Sequence, residues 1–429
     1  MTTAPLRPCS LHGDTDPPGC CQTGLMQDNY FSLTRVRLKH YRSIAEADVE
    51  LGRLLLLVGP NGSGKSNFLD ALRLLSESLQ SSLDQALRGR GGVAEVRRRS
   101  TGHPTHFAID LEFRGPGFTG EYGFEVAAVR GGGFRIPREH CRVRYNTGYV
   151  TAQVDSTEYA EAHFRVANGA LSDASEPVMP PASEQRLYLV AAAGIEAFRL
   201  VYEGLSGISV FSLNPDVIRR PQTPDSGEFL HRDGSNIASV LHRLERSKRG
   251  MDDKDRIQNY LSLIVPGMRG VTRSDLGNWE TLEFSQDVPG AKNPWRFQAQ
   301  SVSDGTLRAL GVLVSLFART GSTLSTVGIE EPESALHPAA AGVLLDALRD
   351  AAERRQVIVT SHSPDLLDRN DFTLAELRAV RSIGGETRIG QLDAAGVLAL
   401  REQLYTPGEL LRSDQLLPAV NSETRETRP

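Results

Sequence analysis

The chain has 429 residues, 39% apolar and 24% charged, with a formal net charge of −5. That length is ample for one large domain or two ordinary ones, and the acidic balance excludes a global basic field built for nucleic acid, leaving room only for a local patch. No apolar run approaches the roughly 18–20 residues of a membrane-spanning helix; "LLLL" at 54–57 has the length of a buried strand.

Residues 1–28 are rich in Pro, Gly, Thr and Asp and are expected to be a disordered tail without a secretory leader. Cys9, Cys20 and Cys21 lie in it, with no CxxC spacing and, together with His12, no zinc pattern; reduced thiols in a cytoplasmic protein are expected. Regular patterning begins at Phe31, which makes Met26 an alternative start. "FSLTRVRLKHYRSIAEADVEL" (31–51) alternates like hairpin strands, and "RLLLLVG" (53–59) reads as a central strand covered on both faces. A helical period follows through Phe68, Leu69, Leu72, Leu75 and Leu79. Segments 105–114, 120–130 and 134–145 predict an antiparallel meander, with Cys141 as packing rather than nucleophile.

From about 184 the pattern turns helical, with Asp233 or Ser235 expected to cap the helix that contains "IASVLHRL". Short strands return at 269–300. The closing section predicts helix (305–319), strand (325–330), helix (338–354) and strand (356–360), the alternation of an α/β layer with parallel strands.

Two stretches carry chemistry. "GPNGSGKSN" (59–67) matches G-x-x-x-x-G-K-[ST] between an apolar strand and a helix. Gly59, Pro60, Asn61, Gly62, Ser63, Gly64 and Asn67 form a loop whose N–H groups cradle phosphates; Lys65 reaches the β/γ oxygens and Ser66 offers its hydroxyl to Mg²⁺. "STVGIEEPE" (325–333) is an apolar strand ending in acids: Glu330 is the expected metal partner of Ser66, and Glu331 the group that orients or deprotonates the attacking water. His362 falls at the carboxyl end of the next strand, where ligands gather in α/β sheets, within reach of a γ-phosphate. No NKxD sequence is present, which argues against a GTPase. A second phosphate-type element, "SVSDGTLRALG" (301–311), opens a helix with Ser303, Asp304 and Gly305; a small-metabolite kinase does not explain it. Its plainer reading is that Ser303 only caps its helix.

Taken together, "GPNGSGKSN", "SVSDGTLR", "IEEPESALHP" and "VTSHSP" resemble, in order, the motifs of ATP-binding-cassette ATPases of the RecF and SMC-like branch. "LKHYRSIAEADVEL", "LHRDGSNIASVLHRL" and "YTPGELL" are similar to stand-alone predicted AAA-family ATPases related to OLD-family nucleases. The resemblance spans about 31–412. It implies a P-loop NTPase of the ABC/SMC-head type: α/β, a mixed sheet with an antiparallel β lobe and a helical lid or arm. The implied bounds are lobe I 29–183, arm 184–265, lobe II 266–412 and a flexible tail 413–429. It also implies ATP and Mg²⁺ as cofactors and an ATP-induced homodimer, in which Ser303, Asp304 and Gly305 of one copy cap the γ-phosphate held by Lys65 of the other, with "SALH" (334–337) along the interface. Two departures stand out: Glu330 occupies a position usually taken by Asp, and the Q-loop glutamine is unplaced, Gln153 and Gln185 being candidates. No heptad run of SMC length appears, so the helices between 184 and 265 are expected to form a short lid or arm rather than a long coiled coil. No second acid-rich α/β unit appears after His362, which argues against the fused nuclease domain of the OLD family.

The expected function is an ATPase switch acting on DNA or on a partner effector such as a separately encoded nuclease; the resemblance implies a setting in DNA repair, recombination or phage defence. The alternatives are the ATP-binding subunit of a membrane transporter and a nucleotide-gated scaffold with negligible turnover. Arg88, Arg90, Arg97, Arg98 and Arg99 form an arginine cluster that is read either as a phosphate contact or as a solvated loop.

Overall fold

The computed structural model of the protein describes residues 30–100, 104–147, 158–318 and 326–419. The N-terminal tail with its three cysteines, Gln153 and most of the C-terminal tail lie outside the described residues.

The alternation in 31–51 becomes a hairpin of β1 (Ser32–Tyr41) and β2 (Ile44–Glu50). The buried run is β3 (Leu54–Val58), followed by α1 (Lys65–Gln80), α2 (Leu83–Arg88) and α3 (Val93–Val96). The meander is β4 (His106–Gly115), β5 (Phe118–Ala128) and β6 (Phe134–Asn146), and Cys141 is buried in β6. It continues into β7 (Tyr159–Ala167) and β8 (Ala170–Ala174), two strands not expected from the sequence. Only alternate β7 residues, Ala162, Phe164 and Val166, are buried, so the apolar signal is thin.

Helices α4 (Tyr188–Ala192) and α5 (Glu196–Ser206) come next, then β9 (Ser209–Phe211), α6 (Pro215–Arg219), α7 (Ile237–Leu244) and α8 (Lys248–Ile264). Neither Asp233 nor Ser235 caps α7. Asn236 stands at its N-cap, and its side chain bonds Asp225, the Phe229 carbonyl and the His231 N–H instead. Asp233 accepts from the Ser235 N–H, closing a local turn. The chain ends with β10 (Met268–Leu276), β11 (Trp279–Gln286), β12 (Trp295–Gln298), α9 (Asp304–Phe317), β13 (Val327–Glu330), α10 (Ala341–Ala352), β14 (Val357–Ser361), β15 (Leu377–Ile383), β16 (Glu386–Gly390), α11 (Ala394–Arg401) and α12 (Pro407–Arg412).

Among the described residues, thirteen strands form one mixed sheet in the order β8-β7-β6-β5-β4-β1-β2-β16-β15-β3-β14-β13-β9, and β10-β11-β12 form a separate small antiparallel sheet. The five strands from β15 to β9 are parallel to one another. Because successive side chains point to opposite faces, β3 feeds two cores. Leu55 and Leu57 pack with α1, α4, α5 and the meander, while Leu54, Leu56 and Val58 pack with α7, α8, α9 and α10. Each such fully buried side chain contributes roughly 1.5–3 kcal/mol. The helical stretch 184–265 therefore divides between the two faces of the sheet, and β9 within it pairs with β13. Gly328 on β13 leaves room for α1, since a Cβ there would lie 3.0 Å from Leu69. Gln356 ties the halves together: buried, it bonds both backbone groups of Leu33 on β1, the Gly52 carbonyl and the Thr326 hydroxyl.

One buried acid links the meander to α4. Glu139 on β6 accepts hydrogen bonds from the N–H groups of Tyr188 (2.6 Å) and Leu189 (2.9 Å) and from the Tyr122 hydroxyl (3.1 Å). Burial raises its pKa from 4.5 to about 7, with those hydrogen bonds pulling the other way. The folded chain thus binds this proton more tightly than the unfolded chain does. The resulting stability is complete below pH 4.5 and is lost as pH rises through about 7. Wild-type protein should lose roughly 3 kcal/mol more than Glu139→Gln between pH 4.5 and about pH 8 in urea unfolding; parallel curves would contradict this.

Candidate functional site

The loop after β3 is held from behind. The Gly59 N–H donates to the Ser361 carbonyl at the end of β14 (3.3 Å), and a Cβ on Gly59 would lie 2.0 Å from the Val380 carbonyl of β15. Gly64, at φ 99°, is the left-handed N-cap of α1, and a Cβ there would fall 1.9 Å from Thr387 Oγ1 of β16. Thr387 in turn donates to the Ser63 carbonyl (2.9 Å) and lies 2.7 Å from Ser43 Oγ, which accepts from the Asn67 amide (2.6 Å). Asn67, expected at the ligand, thus directs its amide to the β1–β2 turn.

Lys65 is 4% exposed and donates to the carbonyls of Gly59 (2.7 Å) and Pro60 (2.9 Å). Burial lowers its pKa, opposed by the charges of Glu331 and Glu333. Pro60, Asn61, Gly62 and Ser66 are exposed, and Ser63 Oγ is a buried hydroxyl without a partner among the described residues. A loop with an exposed rim, a left-handed glycine, an orphaned hydroxyl and the N-terminus of a 16-residue helix fits a chain of phosphates.

The acids stand two strands away, with β14 between. Glu330 closes β13, and Glu331 follows at φ 45°, its N–H donating to the Thr360 carbonyl (3.0 Å). Glu331 Oε1 lies 3.1 Å from His362 Nδ1, and its other oxygen accepts from Ser334 (3.3 Å). Glu330 carries a partner the sequence did not reveal, Arg232, at 3.4 Å. The third acid of "EEPE", Glu333, was also missed. It is buried, accepts from Ser361 Oγ (2.6 Å) and the His362 N–H (3.3 Å), and burial raises its pKa. Its signal was available: an acid on the same short turn as two others is rarely decoration.

Ser303 is the exposed N-cap of α9 and accepts from the Thr306 N–H (3.3 Å). Asp304 pairs with Arg219, and a Cβ on Gly305 would lie 2.5 Å from the Ala335 carbonyl, so this glycine lets α9 abut the 334–337 turn of its own chain. Arg308, one turn further on, donates to the carbonyls of Glu330 and Glu331.

The arginine cluster is not a free phosphate contact at its centre. Arg90 is buried against Asp70 and Glu77, Arg98 pairs with Glu386 and the Ser43 carbonyl, and Arg97 donates to the Pro104 carbonyl. Arg88 and Arg99 are exposed, each paired with an acid four residues away. Gln185 is exposed. No helix among the described residues is long and apolar enough to cross a membrane.

The family described as "AAA domain, putative AbiEii toxin, Type IV TA system" matches residues 54–189 and 202–368. The chain is 24% identical over 366 residues to the OLD nuclease of Thermus scotoductus, covering 81% of this chain and 62% of that protein. It is 30% identical over 176 residues to the DNA replication and repair protein RecF of Caulobacter vibrioides, covering 40% of this chain and 38% of that one. It therefore spans less than two thirds of the length of either relative. Its fold is similar to the SMC head bound to the C-winged helix domain of ScpA, with a TM-score of 0.50 and 11% identity over 86% of this chain and 99% of that one.

The loop geometry yields a paired expectation for stability without nucleotide. Gly62 (φ 75°) has nothing within 4 Å of a built Cβ, so Gly62→Ala meets backbone strain alone, about 1 kcal/mol. Gly64→Ala meets strain and Thr387, and should cost roughly 2–4 kcal/mol in urea unfolding. Equal losses would show that Thr387 does not brace the loop.

Proposed function

We propose that this chain, which belongs to the AAA-domain family it matches and to the RecF/SMC-like ABC-type ATPases related to the OLD nuclease, couples Mg²⁺-dependent ATP hydrolysis to head-to-tail dimerisation. The observation that carries this reading is the convergence of Lys65, Glu330, Glu331 and His362 at the carboxyl ends of adjacent parallel strands.

In this reading Lys65 and the N–H groups of residues 62–66 hold the β- and γ-phosphates, with the Ser63 hydroxyl gaining a partner. Ser66 and Glu330 hold Mg²⁺, and Arg232 must give up Glu330 for that to happen. The metal supplies charge neutralisation at the phosphates. Glu331, oriented by Ser334 and His362, takes the proton of the attacking water, and His362 Nε2 faces the γ-phosphate. A single copy leaves Ser303 and Asp304 exposed at the helix end, with Gly305 half-buried beside them. In the dimer those residues of a second copy close over the γ-phosphate, and hydrolysis releases the two heads. The output is a switch on DNA or on a separately encoded effector such as a nuclease, in repair, recombination or phage defence in the cytoplasm.

The test is a pair of variants. Glu331→Gln should hold an ATP-bound dimer in light scattering while phosphate release falls about 10²–10⁴-fold. Lys65→Ala on its own should neither bind ATP nor form a homodimer. Parental turnover in both would discard the assignment.

A further inference from the structure

From Thr306 onward helix α9 is buried at every position but Arg308, which is also the one charged residue after its first turn. That guanidinium sits at a fork in the sheet. Strands β9 and β13 pair as far as Phe211 and Ile329, and beyond that point their backbones part. Arg308 spans the opening, donating to the Leu213 carbonyl on one side (2.8 Å) and to those of Glu330 (3.1 Å) and Glu331 (2.9 Å) on the other. Carbonyls that leave a ladder need new partners when half-buried, and a planar fork of donors serves two separated segments as a single ammonium cannot.

The consequence falls on Glu331. Its φ of 45° is a conformation a glutamate rarely adopts and that costs about 1 kcal/mol or more. It is pinned on both sides, the N–H by the Thr360 carbonyl and the C=O by Arg308. We infer that Arg308 is a positioning residue for Glu331: by fixing the carbonyl of that strained residue it sets the direction in which the carboxylate leaves the strand, toward His362 and Ser334. It also makes α9 and the 330–336 turn one rigid piece, a contact reinforced where Gly305 meets Ala335. The inference rests on the proposed role of Glu331 in the proposed function.

The experiment compares Arg308→Lys and Arg308→Gln with Arg378→Lys. Arg378 is a buried arginine on β15 that likewise donates to carbonyls, those of Leu374, Ala375, Leu377 and Glu50. Steady-state ATP hydrolysis, thermal melting and amide hydrogen exchange without nucleotide are measured on all three. Both Arg308 variants should lose kcat about 100-fold with KM within about twofold, as expected for a misplaced catalytic group. They should also exchange faster across 331–336. Arg378→Lys should lower the melting temperature while keeping kcat. Unchanged kcat in Arg308→Lys, or a loss no larger than that of Arg378→Lys, would overturn the inference. Absent ATP turnover in the wild-type chain would instead overturn the proposed function, and unchanged exchange across 331–336 would still overturn the role of Arg308.

Discussion

The site depends on the parallel pairing of β3, β14 and β13. With β14 in the middle, the glycine loop and the acidic turn emerge on either side of the strand that ends in Ser361, and His362 follows at once between them. Two backbone bonds convert that register into a shared floor: Gly59 N–H to the Ser361 carbonyl and Glu331 N–H to the Thr360 carbonyl. A slip of one residue in either pairing would turn the inward side chains of that strand outward, and because β3 and β14 are buried at every position such a slip is costly on both faces at once.

Around that floor the molecule divides its polar groups into two kinds. Ser43, Thr387, Glu333 and Arg308 hold backbone and loop in place and have their partners within the chain. Ser303, Asn61, Gly62 and Ser66 are exposed at loop and helix ends. The braced set explains how a glycine-rich loop, entropically reluctant to order, is already shaped before any ligand arrives. The exposed set is what a ligand shared between two copies would engage. The contrast gives the proposed switch its logic: rigid positioning inside each head, and recognition left at the surface.

How much of this was legible in the sequence varied with how local the controlling interaction is. The glycine loop could be read because strand, glycines, Lys65 and helix follow one another without interruption between Leu54 and Gln80. The acids could be read because they end an apolar strand followed by Pro332. Strands β7 and β8 could not, since a half-exposed antiparallel edge carries few buried residues. The cap of α7 was misread because Asn236 is occupied by Asp225 and the turn before it, ties that spacing does not reveal. The arginine cluster looked like a charged patch because the partners of Arg98 and Arg90 include Glu386, far along the chain, and Asp70 on α1. Arg232 and Arg308 were invisible for the same reason: their roles follow from which backbones the sheet brings together.

The central claim, that each ATP site is built from two copies, is tested most directly by mixing two dead variants. On this account Lys65→Ala should fail to hold ATP but present an intact Ser303, whereas Ser303→Asp should keep its helix cap and its own loop but set a negative charge against a partner's phosphate. Each alone should be inactive. The account predicts that the mixture regains ATP turnover well above the sum of the two, because one composite site in each mixed dimer is whole. A mixture no more active than its separate components would contradict it.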